Sequence, residues 1–143
     1  MERSLVLVKP DAVERGFSGV IIGRLESAGL TLVALKMLRM DRAIAERHYA
    51  PHKDKPFFKG LIGYITSGPI VAAVFEGEDA VYTARMVMGA TDPARAEPGS
   101  IRRDFGIDIE RNAVHGSDSV KTAEHEVKLY FKDSEITSYQ RKQ

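Results

Sequence analysis

The chain has 143 residues, and its 21 basic and 20 acidic side chains leave a formal net charge of only +1. Nucleic-acid-binding domains are usually much more basic, so we expect no nucleic acid as a partner. The absence of cysteine excludes disulfides, thiolate zinc sites and cysteine nucleophiles. The length predicts a single domain over residues 1–143, and the N-terminal stretch is too short for a signal peptide or a membrane span, which predicts a cytoplasmic protein.

Apolar runs predict alternating strands and helices along the chain. Strands are predicted at residues 5–8, 30–40, 70–75 and 113–115. Helices are predicted at residues 18–28, 79–88 and 123–131, with an extra pair between 41 and 67 that begins at an Asp41 cap. Residues 89–111 have no clear period and predict a long loop, and the polar tail after Lys132 predicts no element.

This order of elements predicts an α/β sandwich but leaves its topology open. A parallel doubly wound sheet and an antiparallel ferredoxin-like sheet fit the alternation equally well. Gly19 and Gly23 lie four residues apart in a predicted helix, a spacing that favours close packing of that helix. The common phosphate-binding signatures, such as the G-x-x-x-x-G-K-[ST] loop, are absent.

Two isolated features suggest a site only weakly. Lys9 stands at the exit of a buried strand, where α/β proteins often place ligand contacts, although a lysine that extends to solvent is the commoner explanation. His48 and His52 have a possible metal-ligand spacing, but Pro51 between them argues against one helical face. We therefore expect both histidines to lie on the solvated surface.

His115 is the strongest candidate for chemistry in the segment NAVHGSDS, residues 112–119. It ends an apolar strand, and Gly116 permits a sharp turn directly after it. The serines that follow predict the start of a helix, whose dipole favours nearby negative charge. A carboxylate on that helix would fix the imidazole tautomer, but the spacing alone does not choose between Glu124 and Glu126.

Five segments in order give the chain a resemblance to a known family. They are Lys9-Pro10-Asp11, Lys55-Pro56-Phe57-Phe58, Thr66-Ser67-Gly68-Pro69, Gly89-Ala90-Thr91-Asp92-Pro93 and the N-x-x-H-G-S-D-S run. Together they resemble nucleoside diphosphate kinases from about residue 5 to residue 131. The resemblance implies ping-pong transfer of a γ-phosphoryl group through a phosphohistidine, with Nδ1 of His115 as the nucleophile. It also implies a ferredoxin-like, four-stranded antiparallel sheet covered by helices, with the extra helix pair and the long loop framing a nucleotide cleft.

The resemblance further implies roles for residues around His115. Ser117 and Glu126 would orient the histidine, and Tyr49 would place an aromatic hydroxyl beside it. Nucleotide contacts are implied for a larger set, with Phe57 stacked on the base: Lys9, Phe57, Leu61, Arg85, Thr91, Arg102, Ile109 and Asn112. Mg²⁺ would be carried by the nucleotide phosphates and not by protein side chains.

Some expectations concern assembly and departures from the family pattern. The resemblance implies a homo-oligomer, with a hexamer favoured and a tetramer as the alternative. Ser100 replaces the usual threonine, Arg103 a small residue and Ile109 a valine, and none of these changes removes a catalytic group. The alternative function is a non-catalytic regulator of the same fold that binds nucleotides or nucleic acid.

Overall fold

A computed structural model describes residues 1–142. Four strands form one antiparallel sheet in the order β2, β3, β1, β4. The strands are β1 (Glu2–Val8), β2 (Thr31–Arg39), β3 (Pro69–Gly77) and β4 (Val114–Gly116). The helices are α1 (Pro10–Glu14), α2 (Ser18–Ser27), α3 (Arg42–His48), α4 (Phe58–Ile65), α5 (Ala80–Met88), α6 (Ile101–Phe105) and α7 (Val120–Tyr130). The ferredoxin-like prediction is confirmed, and the parallel alternative is wrong.

The sheet separates two hydrophobic layers because successive side chains of a strand point to opposite faces. Leu5 and Leu7 of β1 pack with residues of α3, α4 and α7, whereas Val6 and Val8 pack with residues of α2, α5 and α6. All four side chains are fully buried, and each contributes about 1.5–3 kcal/mol. Strand β1 therefore packs against both hydrophobic layers, which is why its sequence is apolar on both faces.

The register of the sheet determines which way His115 points. His115 on β4 lies opposite Leu7 on β1, and directly paired residues present their side chains on the same face. Leu7 belongs to the layer of α3, α4 and α7. The imidazole therefore faces α3 and α7.

Two elements missing from the prediction are very short. Helix α1 has five residues and so does α6, which makes each too short for a helical period to be recognised. The predicted loop at 89–111 thus contains a helix, whose cap is Ser100: its hydroxyl accepts from the Arg103 N–H at 3.3 Å. The predicted cap at Asp41 is confirmed, since Oδ1 accepts from the Ile44 N–H at 2.8 Å.

The polar tail has structure that its composition did not predict. A 3₁₀ turn at Asp133–Glu135 leads into a segment along β2. The backbone N–H of Thr137 donates to the Val33 carbonyl at 2.9 Å, and the Tyr139 hydroxyl donates to the Leu32 carbonyl at 2.8 Å. Val33 is the residue at which the register between β2 and β3 shifts, so the tail uses a carbonyl at a bulge.

Within residues 1–142 of one chain, the close helix contact expected at Gly19 and Gly23 is not formed. A Cβ added at either glycine would meet no atom within 4 Å. None of the helices in residues 1–142 is long and apolar enough to span a membrane.

This open space generates a prediction about stability. Replacing Gly23 inside α2 by alanine should raise the free energy of unfolding by about 0.5–1 kcal/mol, because the backbone loses less entropy on folding. Gly89 is a matched contrast: its φ is +85° and an added Cβ would lie 2.5 Å from Ser100 Oγ. Gly89→Ala should therefore destabilise by more than about 1 kcal/mol. Urea unfolding at one protein concentration measures both, and a destabilising Gly23→Ala would contradict the packing described here.

Candidate active site

Glu126 connects His115 to the rest of the fold. The carboxylate Oε1 lies 3.1 Å from His115 Nε2 and accepts a 2.8 Å hydrogen bond from the Ser117 hydroxyl. Ser117 Oγ in turn accepts from the Leu5 N–H at 3.1 Å, which ties the group to β1. Burial alone would raise the pKa of the Glu126 carboxyl, but His115, His48 and Ser117 together hold that pKa below its usual value.

Glu124 is exposed, whereas the side chain of Glu126 is only 7% exposed. Of the two carboxylates that the spacing left open, Glu126 is the one beside the imidazole. The ring retains one nitrogen, Nδ1, that makes no hydrogen bond within residues 1–142, and 21% of the His115 side chain is exposed. Because Nε2 faces a carboxylate, the arrangement favours a proton on Nε2 and a free lone pair on Nδ1.

His48 is buried, so the prediction of a solvated surface position is wrong for this residue. It ends α3, and its ring makes an edge contact with the His115 ring at 4.5 Å between centroids. Burial and the neighbouring charge of His115 lower the pKa of His48 to about 3. His48 shares the buried face of α3 with Ala45, three residues earlier, and that helical spacing was the signal for burial. His52 is exposed as expected and lies against Phe57.

Lys9 has a buried ammonium group at the exit of β1. Nζ donates to Asn112 Oδ1 at 2.9 Å and to the Glu110 carbonyl at 3.1 Å. Burial and the charge of Arg102 lower the pKa of Lys9 to about 8. Asn112 is itself held in place, because its side-chain amide donates to the Thr91 carbonyl at 2.9 Å. Lys9 is buried. The interpretation of Lys9 as a lysine that extends to solvent is therefore wrong.

Arg102 contributes a second cation, which is partly buried. Its guanidinium donates to the carbonyls of Gly89 and Val114, both at 2.9 Å. Nε is buried and has no hydrogen-bond partner within residues 1–142. Burial and the nearby charge of Arg85 lower the pKa of Arg102 to about 10. Neither Lys9 nor Arg102 forms a salt bridge with a carboxylate of residues 1–142, although the charge of the buried Asp11 acts on Lys9 from farther away. An anionic ligand would relieve the desolvation of both cations.

These groups surround a cleft of about 960 Å³, which is large enough for a small organic ligand. Most residues that the sequence singled out line it: Lys9, Tyr49, Leu61, Arg85, Thr91, Arg102, Ile109, Asn112, His115 and Glu126. Ser117 is fully buried behind Glu126 and acts on the cleft only through that carboxylate. Phe57 does not line the cleft. Its side chain is 52% exposed and lies beside His52, which does line the cleft.

The wall also contains residues that sequence reasoning did not select, including His48, Lys121 and His125. Lys121 lies in the first turn of α7, directly after the NAVHGSDS segment, so its proximity in sequence was a usable signal. Arg103, which departs from the family pattern, does not line the cleft; it donates to the Ala94 carbonyl at 3.0 Å.

The wall offers little to a metal ion. The carboxylates among its described residues are Asp118 and Glu126, and Glu126 already accepts hydrogen bonds from two side chains. His48, His115 and Glu126 place ligand atoms within 4.8 Å of one another, but His115 and Glu126 contact each other directly. An oxygen cage for a hard divalent cation is therefore not formed by residues 1–142.

Comparisons with known proteins agree with this geometry. The family model described as nucleoside diphosphate kinase matches residues 2–136. A nucleoside diphosphate kinase of Dehalococcoides mccartyi is 60% identical over 99% of this chain and 100% of its own length. One from Archaeoglobus fulgidus is 55% identical over 99% of this chain and 93% of its own.

A solved structure gives the same result. The nucleoside diphosphate kinase of Halobacterium salinarum, in complex with CDP, superposes with a TM-score of 0.95 at 49% identity, covering 98% of this chain and 93% of that one. The match thus extends over nearly all of both chains, in sequence and in fold. The chain belongs to the nucleoside diphosphate kinase family, and it is an enzyme of that class.

Proposed function

We propose that the chain transfers the γ-phosphoryl group of a nucleoside triphosphate, typically ATP, to a nucleoside diphosphate through a phosphohistidine on His115. The observation that carries this proposal is the orientation of the imidazole. Nε2 faces Glu126 at 3.1 Å, which leaves the Nδ1 lone pair as the nucleophile. Nδ1 forms the N–P bond while the bond from phosphorus to the bridging oxygen breaks, and the diphosphate leaves with that oxygen.

The second half of the reaction reverses these bonds with a different nucleotide. A terminal oxygen of the acceptor diphosphate attacks the phosphorus, and the N–P bond breaks to restore the free Nδ1 lone pair. Glu126 stabilises the positive charge that develops on the ring during both transfers. A ring fixed by Glu126 and Ser117 needs little reorientation between the two steps.

The cations of the cleft support binding of the phosphates. Lys9 and Arg102, with Arg85 at the surface of α5, would contact the phosphate oxygens, and Thr91 would donate from its hydroxyl. The unpartnered Nε of Arg102 is a donor that a phosphate oxygen would satisfy. Each charge-assisted hydrogen bond would contribute about 1.5–3 kcal/mol.

The remaining wall supports binding of the nucleoside. Asn112 and Lys9 would contact the ribose hydroxyls, and Tyr49 would place its ring and hydroxyl beside the reaction centre. Phe57 would stack on the base, with Leu61 and Ile109 at its edges. Stacking on an exposed aromatic face does not read base edges, so it favours broad nucleotide specificity.

Family membership implies a divalent metal, and we propose Mg²⁺. The lack of a carboxylate cage fits an ion held by the nucleotide phosphates and by water. When bound, Mg²⁺ neutralises negative charge on the phosphate oxygens. Lys9, Arg85 and Arg102 would supply the remaining positive charge to the phosphates.

We further propose a cytoplasmic protein that is a single domain over residues 1–143 and assembles into a homo-oligomer. The continuous sheet supports one domain, because β1 near the N-terminus pairs with β4 near the C-terminus. Leu35 and Met37 on the edge strand β2 are 52% and 62% exposed. Neighbouring apolar side chains of this kind support an interface between subunits.

The first prediction of the proposed function concerns the covalent intermediate. Mixing the protein with Mg²⁺ and ATP labelled at the γ-phosphate should give one acid-labile, alkali-stable phosphate per chain, and GDP should discharge it. His115→Ala should abolish the label. His52→Ala removes a histidine that the proposed chemistry does not use, so this variant should still be labelled. Nucleotide binding without any label would instead favour the non-catalytic regulator.

A second prediction compares the two carboxylates of α7. Glu126→Gln should lower kcat by roughly 10- to 100-fold, because it removes a charge-assisted hydrogen bond to His115. Glu124→Gln, two residues away and exposed, should leave kcat within about twofold. Steady-state kinetics at saturating nucleotide measures both, and equal effects would contradict the role proposed for Glu126.

A third prediction concerns assembly. Native mass spectrometry should give a particle of six times the 15.8 kDa chain mass, and Met37→Asp should reduce that mass by placing a charge on the apolar edge of β2. A particle of four chains would support the tetramer, and a monomeric wild type would contradict the proposed oligomer.

A further inference from the structure

His48 lies against the catalytic histidine, and the mechanism above gives it no task. Its side chain is only 1% exposed, and its ring packs on the His115 ring at a centroid distance of 4.5 Å. Its Nε2 is buried and without a hydrogen-bond partner in residues 1–142. The acceptor that this nitrogen faces is Oε2 of Glu126, at 3.6 Å.

The neighbours of His48 determine its tautomer. Nδ1 lies 2.8 Å from the Tyr130 hydroxyl, whose single proton has one other acceptor, the weakly accepting Met40 Sδ at 3.7 Å. If Nδ1 carried the ring proton, the Nε2 lone pair would point at a carboxylate oxygen in a buried site. If Nε2 carries it, Tyr130 donates to Nδ1 and the Nε2–H points at the carboxylate. The second arrangement pairs donors with acceptors at both nitrogens.

We propose that His48 is a positioning residue for phosphoryl transfer, whose Nε2–H holds the second oxygen of Glu126 so that the first oxygen stays on His115. This inference deepens the proposed function and rests on it. Oε1 lies 3.1 Å from His115 Nε2 and accepts from the Ser117 hydroxyl, and Oε2 faces His48 Nε2 at 3.6 Å. Donors on both oxygens fix the plane of the carboxylate, and that plane fixes the direction of the His115 ring.

The length of the contact fits an enzyme without its substrate. At 3.6 Å the pair is an electrostatic contact and not a hydrogen bond, and catalytic hydrogen bonds commonly shorten when substrate is bound. Because Nε2 is inaccessible to solvent, a water molecule does not compete for it. The ring contact with His115 also limits rotation of the nucleophile.

His48 stays neutral at the pH at which such an enzyme works. Burial is the largest cause of its lowered pKa, and the charge of His115 is the second. The titratable groups that face it come from several elements: Lys9 after β1, Tyr49 beside it, His115 on β4, and His125, Glu126 and Tyr130 on α7. A neutral ring donates to Glu126 without adding a cation that would compete with His115 for the carboxylate.

Two substitutions separate the donor from the ring. His48→Phe keeps an aromatic ring and removes both nitrogens, whereas His48→Gln keeps an N–H donor near the position of Nε2. His48→Phe should slow the phosphorylation of His115 by ATP about tenfold in single-turnover experiments, with little change in nucleotide Kd. His48→Gln should restore most of that rate.

Rescue by His48→Gln gives a readout that a merely structural role would not move. A loosened fold would slow both variants, whereas loss of the N–H donor slows His48→Phe alone. The loss in His48→Phe should appear in kcat with KM nearly unchanged, because the substitution removes no nucleotide contact. Equal losses in the two variants, or an unchanged rate in His48→Phe, would overturn the proposal.

The wild-type protein provides an independent test. The chain has four histidines, so ¹⁵N-detected spectra can be assigned by single substitutions. We expect the Nε2–H tautomer at His48, and Tyr130→Phe should mix the two tautomers and slow labelling. An Nδ1–H tautomer in the wild type would overturn the proposal even if His48→Phe fails to fold. Absence of any phosphate on wild-type His115 would instead overturn the proposed function.

Discussion

A buried carboxylate needs donors, and the site is organised by how Glu126 obtains them. Its side chain is 7% exposed, so its charge is stable only where N–H and O–H groups converge on it. His115 lies on β4, Ser117 follows directly after β4, and His48 ends α3. Packing of Val127 and Tyr130 from α7 into the hydrophobic layer fixes where the carboxylate stands. The apolar core therefore determines the chemistry of an imidazole that is not itself part of it.

On the side of the cleft proposed to bind phosphates, the charges are positive and are held by hydrogen-bond acceptors. Lys9 is buried and Arg102 is partly buried. After burial, the charge of Arg102 is the next cause of the lowered pKa of Lys9, and the charge of Arg85 is the next cause of the lowered pKa of Arg102. Backbone carbonyls and the Asn112 amide satisfy most of their donors. Neutral acceptors hold the cations in place without cancelling their charge. The positive charges thus remain available to an anion. Folding has already removed water from Lys9 and Arg102, so little of that desolvation is left for the binding step.

The sequence predicted most elements because their signals are local. Apolar runs marked β1 and β3, and Asp41 marked the start of α3. Helices α1 and α6 were missed because five residues do not complete enough turns to show a period. The choice between parallel and antiparallel sheets was not available locally, since strand pairing joins residues far apart in the chain.

The site was predictable to a different degree. The segment around His115 is specific enough to indicate the family, and the residues that resemble its motifs line one cleft. His48 was misjudged because it was considered as a partner of His52 and not as a member of the α3 face with Ala45. The contact between His115 and Glu126 depends on the register of β4 against β1 and on the packing of α7, which no spacing within one segment reveals.

The C-terminal segment has a consequence for how sheets of this protein can meet. An open edge strand offers backbone groups to any other strand, which exposes a protein to uncontrolled aggregation. Hydrogen bonds from Thr137 and Tyr139 occupy carbonyls near the start of β2, while the stretch with Leu35 and Met37 stays accessible. The tail thus shortens the open edge of β2 at which another strand could add.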